Sequence, residues 1–446
     1  MPTALFSIAR SGLNASRLSL ELTAQNIANA GNTDFARRSI RQTELVGTGN
    51  IALNTADSFS GVRLSGINRA DSALLQRQAR DSASALASTS AELRALGTAE
   101  TALERTGLYD SLVGFEAAFT RLESDPTSAP LRTAALESAR QLAGVFNTAN
   151  ESLANARRLT IGEAEADVLT INTLTDDLAR INREMVAARE NSAAKAALLD
   201  SRDAALAKLA EQVGISASFN PNGTVLVTAN GTPPTALVDG GSNAVFTMAV
   251  GADGTLAFAI DGAAFAPASG AMAGRSAALQ AKGDLQVQLD TLAANLIGIV
   301  NGAQSTGSDL GGNPGAAVFS GTGAGDIAVV MTSGAGLATA PGGAPAGNRD
   351  TANLAAMLAA LGGASGPVEG ANTLLLQLSS RVAGLDLRRE GLSVVAASAA
   401  EELASETGVD IDTEAANLVQ LQRAFEANSR VIQVAADLFD TILALR

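Results

Sequence analysis

The stretch LVQLQRAFEANSRVIQVAADLFDTI, residues 418–442, decides the fold that this sequence predicts. Its apolar or small residues recur at alternating steps of three and four, which is the pattern of a helix that packs against another helix. We call this set the C-terminal seam, and its members are Leu418, Leu421, Phe425, Ile432, Ala435, Phe439 and Ile442. Asn428 takes a seam position where an apolar residue is expected, and such an amide can fix register and partner number at some cost in stability.

Acidic residues mark the start of this terminal helix. Asp410 and Asp412 precede it, and we expect Asp412 or Thr413 to cap its first free amides. Glu414 lies in the first turn, where a carboxylate interacts favourably with the helix dipole. A helix with so long an apolar stripe needs a partner, either elsewhere in the chain or on another copy.

Residues Leu5 to Ile27 offer that partner, because they carry apolar residues at helical spacing on two sides. The stripes consist of Ile8, Ala15, Leu18 and Leu22 on one side and of Leu13, Leu20 and Ile27 on the other. An ordinary buried helix explains this periodicity equally well. Termini commonly fray unless they are tied down, so the regularity of both ends favours a pair of terminal helices.

A turn motif follows the first helix, in the stretch NIANAGNTDFARR at residues 26–38. Asn29 and its neighbours tolerate left-handed backbone conformations, so we expect the helix to stop near Asn29 or Ala30. The residues singled out in this motif are Asn26, Asn29, Phe35 and Arg37. The Arg37–Arg38 pair either contacts an acidic partner surface or lies in a solvated turn, and the sequence does not choose between them.

Composition excludes several classes of function. The net charge of −14 argues against non-specific binding of nucleic acid. With no Cys and no His, the chain lacks the usual nucleophile, general base and transition-metal ligands, and we expect no enzyme, cofactor or metal site. No cleavable secretory signal is seen, and no apolar run reaches the roughly 18 residues that span a bilayer. Either a cytoplasmic protein or one exported unfolded through a narrow channel fits these features.

The middle of the chain predicts long helices interrupted by a β domain. Helices are expected at about 112–122, 131–161, 163–190 and 193–212, with their charged residues on a solvated face. Short β runs and hairpin turns then predict a small antiparallel domain at 213–275. Further helices are expected at 276–303, 352–361 and 372–406, with a Gly-rich loop at 305–348 that holds one hairpin around 327–331.

These elements predict a mainly α protein with an inserted β domain, arranged in nested layers. The expected divisions are a terminal coiled-coil layer (1–35 and 409–446), a helical layer (36–212 and 276–408) and the β insert (213–275). Two motif matches are set aside. Residues 321–326 resemble a phosphate-binding loop without the helix that must follow, and residues 410–414 resemble a calcium loop without its central glycine.

Motifs at both ends resemble those of the bacterial flagellar axial family, which comprises rod, hook and hook-associated proteins. They are SGLNA (11–15), NIAN (26–29) and FAR (35–37) near the start, and EAANL (414–418), QRAF (422–425) and FDTIL (439–443) near the end. Within that family the long helical middle and DLGGNPG (309–315) are similar to the hook-associated members at the hook–filament junction. The usual Asn-Thr-Pro-Gly-Tyr is replaced by GNTDF at 31–35, which leaves the contacts of that turn open.

The resemblance implies a structural protein that is secreted through the flagellar export apparatus and joins hook to filament outside the cell. Its terminal helices would line the inner tube of a ring of about eleven copies. The implied partners are the hook protein, a second hook-associated protein and an export chaperone, and a free copy would have largely disordered termini. The alternatives are a hook or rod protein, a wall hydrolase and an adhesive module in the β insert.

Overall fold

The computed structural model describes residues 2–44 and 61–444, with side chains for 5–44 and 61–441. Its helices are α1 (Pro2–Ala28), α2 (Ala73–Glu104), α3 (Leu108–Ser124), α4 (Ala129–Ala187), α5 (Ala193–Gln212), α6 (Ala271–Thr306), α7 (Ala352–Leu361), α8 (Pro367–Thr407) and α9 (Ile411–Ala444). Within these described ranges, no helix combines the length and apolarity that crossing a bilayer demands. The predicted class, mainly α with an inserted β domain, is confirmed.

The strands are short. They are β1 (Arg38–Glu44), β2 (Val62–Arg69), β3 (Ile215–Phe219), β4 (Val225–Ala229), β5 (Gly231–Thr232), β6 (Thr235–Asp239), β7 (Ser242–Asn243), β8 (Phe246–Val250), β9 (Leu256–Ile260), β10 (Ala263–Pro267), β11 (Gly307–Ser308), β12 (Phe319–Ser320), β13 (Ala328–Val329) and β14 (Ala340–Pro341). β1 and β2 pair antiparallel, and β3, β4, β6 and β7 form one sheet in that order. β9 pairs antiparallel with β10, and Phe258 lies opposite Phe265.

The chain divides into two compact units, each built from both halves of the sequence. Unit 1 contains residues 1–86, 170–246 and 392–446, and unit 2 contains residues 87–169 and 247–391. The layered division expected from the sequence stays a prediction.

Helix α4 corrects one boundary. A break near Gly162 was expected between two helices, but α4 runs without interruption through that residue. A glycine inside a helix costs only about 1 kcal/mol relative to alanine, and its neighbours Thr160 and Ala164 are buried. Packing of this stretch therefore outweighs the weak local preference for a break.

Unit 2 is organised around a cluster of aromatic and aliphatic side chains. Phe115 and Phe119 lie one turn apart on α3, with ring centroids 4.7 Å apart, and Phe319 lies 6.1 Å from Phe115. All three rings are almost fully buried. The spacing of the α3 residues predicted this face, whereas the contribution of Phe319 comes from the Gly-rich segment.

That Gly-rich segment, 305–348, is more structured than the single predicted hairpin. It forms two small antiparallel sheets, β11 with β14 and β12 with β13. Arg132 of α4 is buried against it and donates to the main-chain oxygens of Pro126, Gly334 and Leu337 and to the Thr339 hydroxyl. The prediction that the charges of this helix only face solvent is wrong here, because a guanidinium satisfies several carbonyl groups at once.

A second buried cation lies on α6. Lys282 is fully buried, and its ammonium donates to the main-chain oxygen of Ala156 (2.8 Å) and the hydroxyl of Thr160 (2.7 Å). Both acceptors are neutral, and burial lowers the pKa of Lys282 to about 8.

Asparagine side chains on helices repeatedly bind a single residue of an extended segment. Asn182 accepts from the amide of Val225 and donates to its carbonyl oxygen, both at 2.8 Å. Asn172 does the same with Phe246 at 2.9 Å. In unit 2, Asn301 accepts from the amide of Phe319 (3.1 Å) and donates to its carbonyl oxygen (2.8 Å). Each carboxamide thus makes the two main-chain hydrogen bonds that a neighbouring strand would make with that residue. We call these contacts asparagine clamps.

Candidate functional site

Helices α1 and α9 pack side by side in opposite directions. Asn26 near the end of α1 contacts Glu414 at the start of α9, and Ser16 in the middle of α1 contacts Asn428. The N-terminal segment is thus the partner of the C-terminal seam, as the two stripes predicted. Both helices belong to unit 1.

Burial along the C-terminal seam falls toward the end of the chain. The half-buried members are Leu418, Leu421, Phe425, Asn428 and Ile432. Ala435 is buried, whereas Phe439 is 50% exposed. Ile442 belongs to α9, but its side chain lies outside the described residues. One copy therefore covers the first part of the seam and leaves its last aromatic ring in solvent.

The two stripes of α1 are covered unequally. Ala15 and Leu22 are buried, whereas Ile8 and Leu18 of the same stripe are exposed. The half-buried residues are Leu13, Leu20 and Ile27. Neither stripe is therefore fully closed by the chain itself.

The polar seam position Asn428 fits because of small residues on α1. Its carboxamide nitrogen lies 3.4 Å from the Ser16 hydroxyl, which itself donates to the carbonyl oxygen of Gly12 at 2.9 Å. A Cβ atom at Gly12 would lie 2.8 Å from the carboxamide oxygen of Asn428. Glycine at this position therefore makes room for the amide, and the role of Asn428 in fixing the register of the pair stays a prediction.

Asn26 joins three elements with an asparagine clamp and one further contact. It accepts from the amide of Arg38 (3.1 Å) and donates to the Arg38 carbonyl oxygen (2.9 Å) and to the carboxylate of Glu414 (3.2 Å). Both Asn26 and Glu414 are buried. Asn26 thus links the end of α1, the start of β1 and the first turn of α9.

The cap of α9 differs from the expectation. The helix begins at Ile411, and Asp410 is the capping residue. Its carboxylate accepts from the amide of Asp412 (3.0 Å) and the hydroxyl of Thr413 (2.9 Å). These hydrogen bonds, that of the Thr413 hydroxyl first, lower the pKa of Asp410. The expected cap at Asp412 or Thr413 is wrong because the helix starts earlier than the apolar pattern indicates.

The turn motif after α1 is fixed mainly by main-chain contacts. The side chain of Asn29 donates to the carbonyl oxygen of Gln25 (2.8 Å), which closes the helix end. The amide of Arg37 donates to the carbonyl oxygen of Thr407 (2.8 Å), while the Arg37 side chain is exposed. The half-buried ring of Phe35 lies under the guanidinium of Arg38, 4.7 Å from it.

An ion-pair network beneath this turn was not predicted. Arg38 and Arg69 of the β1–β2 hairpin both bind Asp200 of α5, and Arg69 also binds Asp203 at 2.8 Å. We call this set, with Arg202 of α5, the hairpin network. It attaches the hairpin to a helix more than a hundred residues away, and no local spacing in the sequence reveals such a pairing.

The described residues hold no group of acidic, His or Cys side chains able to bind a metal ion. The loop at 321–326 is closed on itself, because Asp326 accepts from the amides of Thr322 (2.9 Å) and Gly323 (2.8 Å). These hydrogen bonds lower the pKa of Asp326. The loop amides that would hold a phosphate are therefore occupied.

Two family models match the chain. The model described as "Flagellar hook-associated protein FlgK helical domain" matches residues 96–319, which is half of the chain. The model described as "Flagellar basal body rod FlgEFG protein C-terminal" matches residues 403–445, which contain α9. The two matches thus cover the helical middle and the C-terminal seam.

Curated relatives include flagellar hook-associated protein 1 of Bacillus subtilis, which is 26% identical over 248 residues, 54% of this chain and 49% of the relative. The protein of the same name from Salmonella typhimurium is 26% identical over 240 residues, 51% of this chain and 42% of the relative. The chain therefore spans about half the length of the curated relatives it matches.

One solved structure that matches part of this chain is that of the flagellar hook junction protein FlgK from Burkholderia pseudomallei. It is 19% identical with a TM-score of 0.49, and the match covers 55% of this chain and 46% of that one.

Proposed function

This chain belongs to the flagellar hook-associated protein FlgK family, and from that premise we propose that it is a structural subunit joining the flagellar hook to the filament. The proposal excludes an enzymatic role. It treats the paired terminal helices as the part of the subunit that contacts its neighbours.

The observation that carries the proposal is the apolar surface left open on α1 and α9. The exposed large apolar residues of the two helices are Leu5, Phe6, Ile8, Leu18, Ile411, Val419, Val431, Val434, Leu438 and Phe439. Contiguous apolar surface on a protein is commonly an interaction site, because its burial is worth about 25 cal/mol per Å². A neighbour that covers these residues would bury Phe439 of the C-terminal seam, Ile8 and Leu18 of the α1 stripes, and the apolar side chains that lie outside both.

The finer assignments extend this proposal. In this proposal about eleven copies of the chain form a ring. The hook protein and a second hook-associated protein are the neighbours of that ring along the axis. An export chaperone would cover the stripe of α9 before assembly, as grooves receive amphipathic helices. Secretion would follow the flagellar export route to the hook–filament junction outside the cell. The layered division, with 1–35 and 409–446 as the coiled-coil layer, belongs to the same proposal.

The test is electron microscopy of cells that lack this gene. We expect hooks without filaments, with filament subunits lost to the medium. Absence of hooks would instead assign the chain to the hook or rod, and normal flagella would contradict the proposal.

A matched pair of variants tests the terminal helices themselves. Phe439→Ser should abolish swimming, because it places a hydroxyl in the open part of the seam. Leu387→Ser changes a residue on α8 that is even more exposed and should leave swimming intact. Equal loss in both variants would contradict a specific role of α9, and protein levels in the medium control for export.

The predicted disorder of the termini in a free copy stays a prediction. Hydrogen exchange on the purified monomer tests it across residues 418–442. Strong protection there would contradict it.

A further inference from the structure

A second apolar stripe runs along α9 outside the C-terminal seam. We call it the outer stripe, and it consists of Ala427, Val431, Val434 and Leu438. Its steps of four, three and four residues are those of a helix that packs against another helix. All four residues are exposed, Val434 to 57% and Leu438 to 46%. Helix α1 packs on a different side of α9, about a third of the way around it, so the described part of the chain leaves the outer stripe open.

Two residues of opposite charge border the outer stripe on one side. Arg430 and Asp437 each directly precede an apolar member of the stripe and lie seven residues apart. Both are exposed, and neither forms an ion pair with another described residue. The other border consists of Asn428 and Ala435, which are uncharged and belong to the C-terminal seam. The outer stripe therefore has one charged border and one neutral border.

The outer stripe is complementary to itself when two copies of α9 run antiparallel. Its steps are the same when read from either end, so a two-fold axis can pass midway between Val431 and Val434. This axis places Val431 of each copy opposite Val434 of the other. It also places Ala427 of each copy opposite Leu438 of the other, so that a small side chain makes room for a large one at both ends of the contact.

The charged border favours the same antiparallel arrangement. Residues that flank the apolar positions of paired helices form ion pairs across the contact and thereby set partner and orientation. In the antiparallel pair, Arg430 of each copy lies opposite Asp437 of the other, which gives two equivalent ion pairs. In a parallel pair, Arg430 would instead lie opposite the neutral Ala435, and no such ion pair would form. Charge complementarity therefore identifies the partner of the outer stripe as the same stripe on a second copy.

We propose that two free copies of this chain associate through the outer stripes of α9, antiparallel about a two-fold axis. The contact spans residues 427–438, about 17 Å of helix, which is short, so we expect a weak dimer that forms at high protein concentration. All copies in a ring point the same way, so this dimer is not a contact of the proposed ring. A free copy must therefore leave the dimer before it assembles, and only this consequence rests on the proposed function.

Analytical ultracentrifugation of the full chain over a concentration series tests the dimer. Val434→Glu should raise its dissociation constant at least about tenfold, because the variant places a carboxylate in the apolar contact of each copy. Val419→Glu is the matched control, since Val419 is also exposed on α9 but lies outside the outer stripe, and it should leave the constant unchanged. A wild-type chain that stays monomeric, a larger oligomer, or equal weakening in both variants would overturn the inference.

A pair of charge variants tests the antiparallel register. Arg430→Asp and Asp437→Arg should each weaken self-association, because both contacts of either dimer then join like charges. Both residues are exposed, so neither change should disturb the fold. In a mixture of the two variants, each mixed dimer has opposite charges at both contacts, so we expect mixed dimers to form as readily as the wild-type dimer. Failure of the mixture to restore association would overturn the inference.

These results are separable from the proposed function. Hydrogen exchange across residues 427–438 should slow as the concentration of the wild-type chain rises, whatever the protection of the monomer. A chain that stays monomeric, from a gene whose loss leaves hooks without filaments, would overturn the dimer and leave the proposed function in place. A dimer that passes these tests, from a gene whose loss leaves normal flagella, would do the reverse.

Discussion

The apolar cluster of unit 2 and the paired terminal helices use similar residues to opposite effect. In the cluster, Phe115 and Phe119 are completely enclosed by the chain's own side chains. On α9, Phe439 is half exposed and Leu438 beside it nearly as much. Helical periodicity is equally clear in both regions. The difference shows that periodicity predicts a packed face without saying which molecule supplies the other half.

The two regions also differ in what fixes their geometry. The cluster is filled with rings and aliphatic chains from α3, α4 and α6. The terminal pair depends on small residues and a few polar contacts, such as Gly12 with Asn428 and Asn26 with Glu414. Such a pair has a defined register but leaves much apolar surface open, which suits the contacts with neighbouring subunits that we propose for it.

The largest effect is expected from emptying the cluster. Phe115→Ala should lower the free energy of unfolding by about 3–5 kcal/mol, because it removes a buried ring and leaves a cavity. Val113→Ala on the same helix is partly exposed and should cost less than about 1 kcal/mol. Urea unfolding of the full chain gives both values. Similar losses in the two variants would mean that the cluster is not the closed region described here.

Lys282→Met tests the energetic cost of the buried cation on α6. A pKa lowered from 10.5 to about 8 means that the folded state binds this proton less well than the unfolded state does, a penalty of roughly 3 kcal/mol below pH 8. The penalty is relieved as pH rises from about 8 toward 10.5. The free energy of unfolding of the wild type should therefore increase with pH over that range. Lys282→Met should be more stable than the wild type at pH 7, by roughly 1–3 kcal/mol after the lost hydrogen bonds.

The measurement for Lys282→Met is urea unfolding of both chains at several pH values. The difference between variant and wild type should shrink from pH 8 to pH 10. A constant difference over that range would contradict a lowered pKa of Lys282.

Asn26→Ala tests whether polar contacts fix the terminal pair. It leaves the main-chain groups of Arg38 and the buried carboxylate of Glu414 without a partner, at a cost of about 1–3 kcal/mol. Asn14→Ala, at an exposed position of α1, is the control and should cost less than about 0.5 kcal/mol. Faster hydrogen exchange around Arg38 and Glu414 in the first variant alone would support the clamp. Equal exchange in both would speak against it.

The smallest effect is expected at the open end of the seam. In the free chain Phe439→Ala should change the free energy of unfolding by less than about 0.5 kcal/mol, because half of the ring is already in water. A loss as large as that of Phe115→Ala would break the comparison, since it would mean that one copy closes its own terminal seam.

Sequence patterns predicted those features that depend on local periodicity and turn chemistry. The spacing of Leu418, Phe425 and Ile432 gave the terminal pairing, and Ala193–Gln212 was found with its actual bounds. Contacts between distant residues were missed. Arg132 looked like a surface residue because nothing in its helix shows that a glycine-rich loop will cover it. Asp200 was overlooked for the same reason, since its partners lie on the β1–β2 hairpin.

The asparagine clamps have a consequence for the surroundings in which this chain can keep its shape. A carboxamide gains or loses no proton in ordinary water, and its hydrogen bonds lack the net charges that dissolved salt screens most strongly. At Asn172, Asn182 and Asn301, helix and extended segment are therefore joined by chemistry that is indifferent to acidity and salinity. The chain has no histidine, the side chain that ordinarily titrates near neutrality. The asparagine clamps should therefore keep the same geometry in fresh water, in brine and in mildly acid fluid.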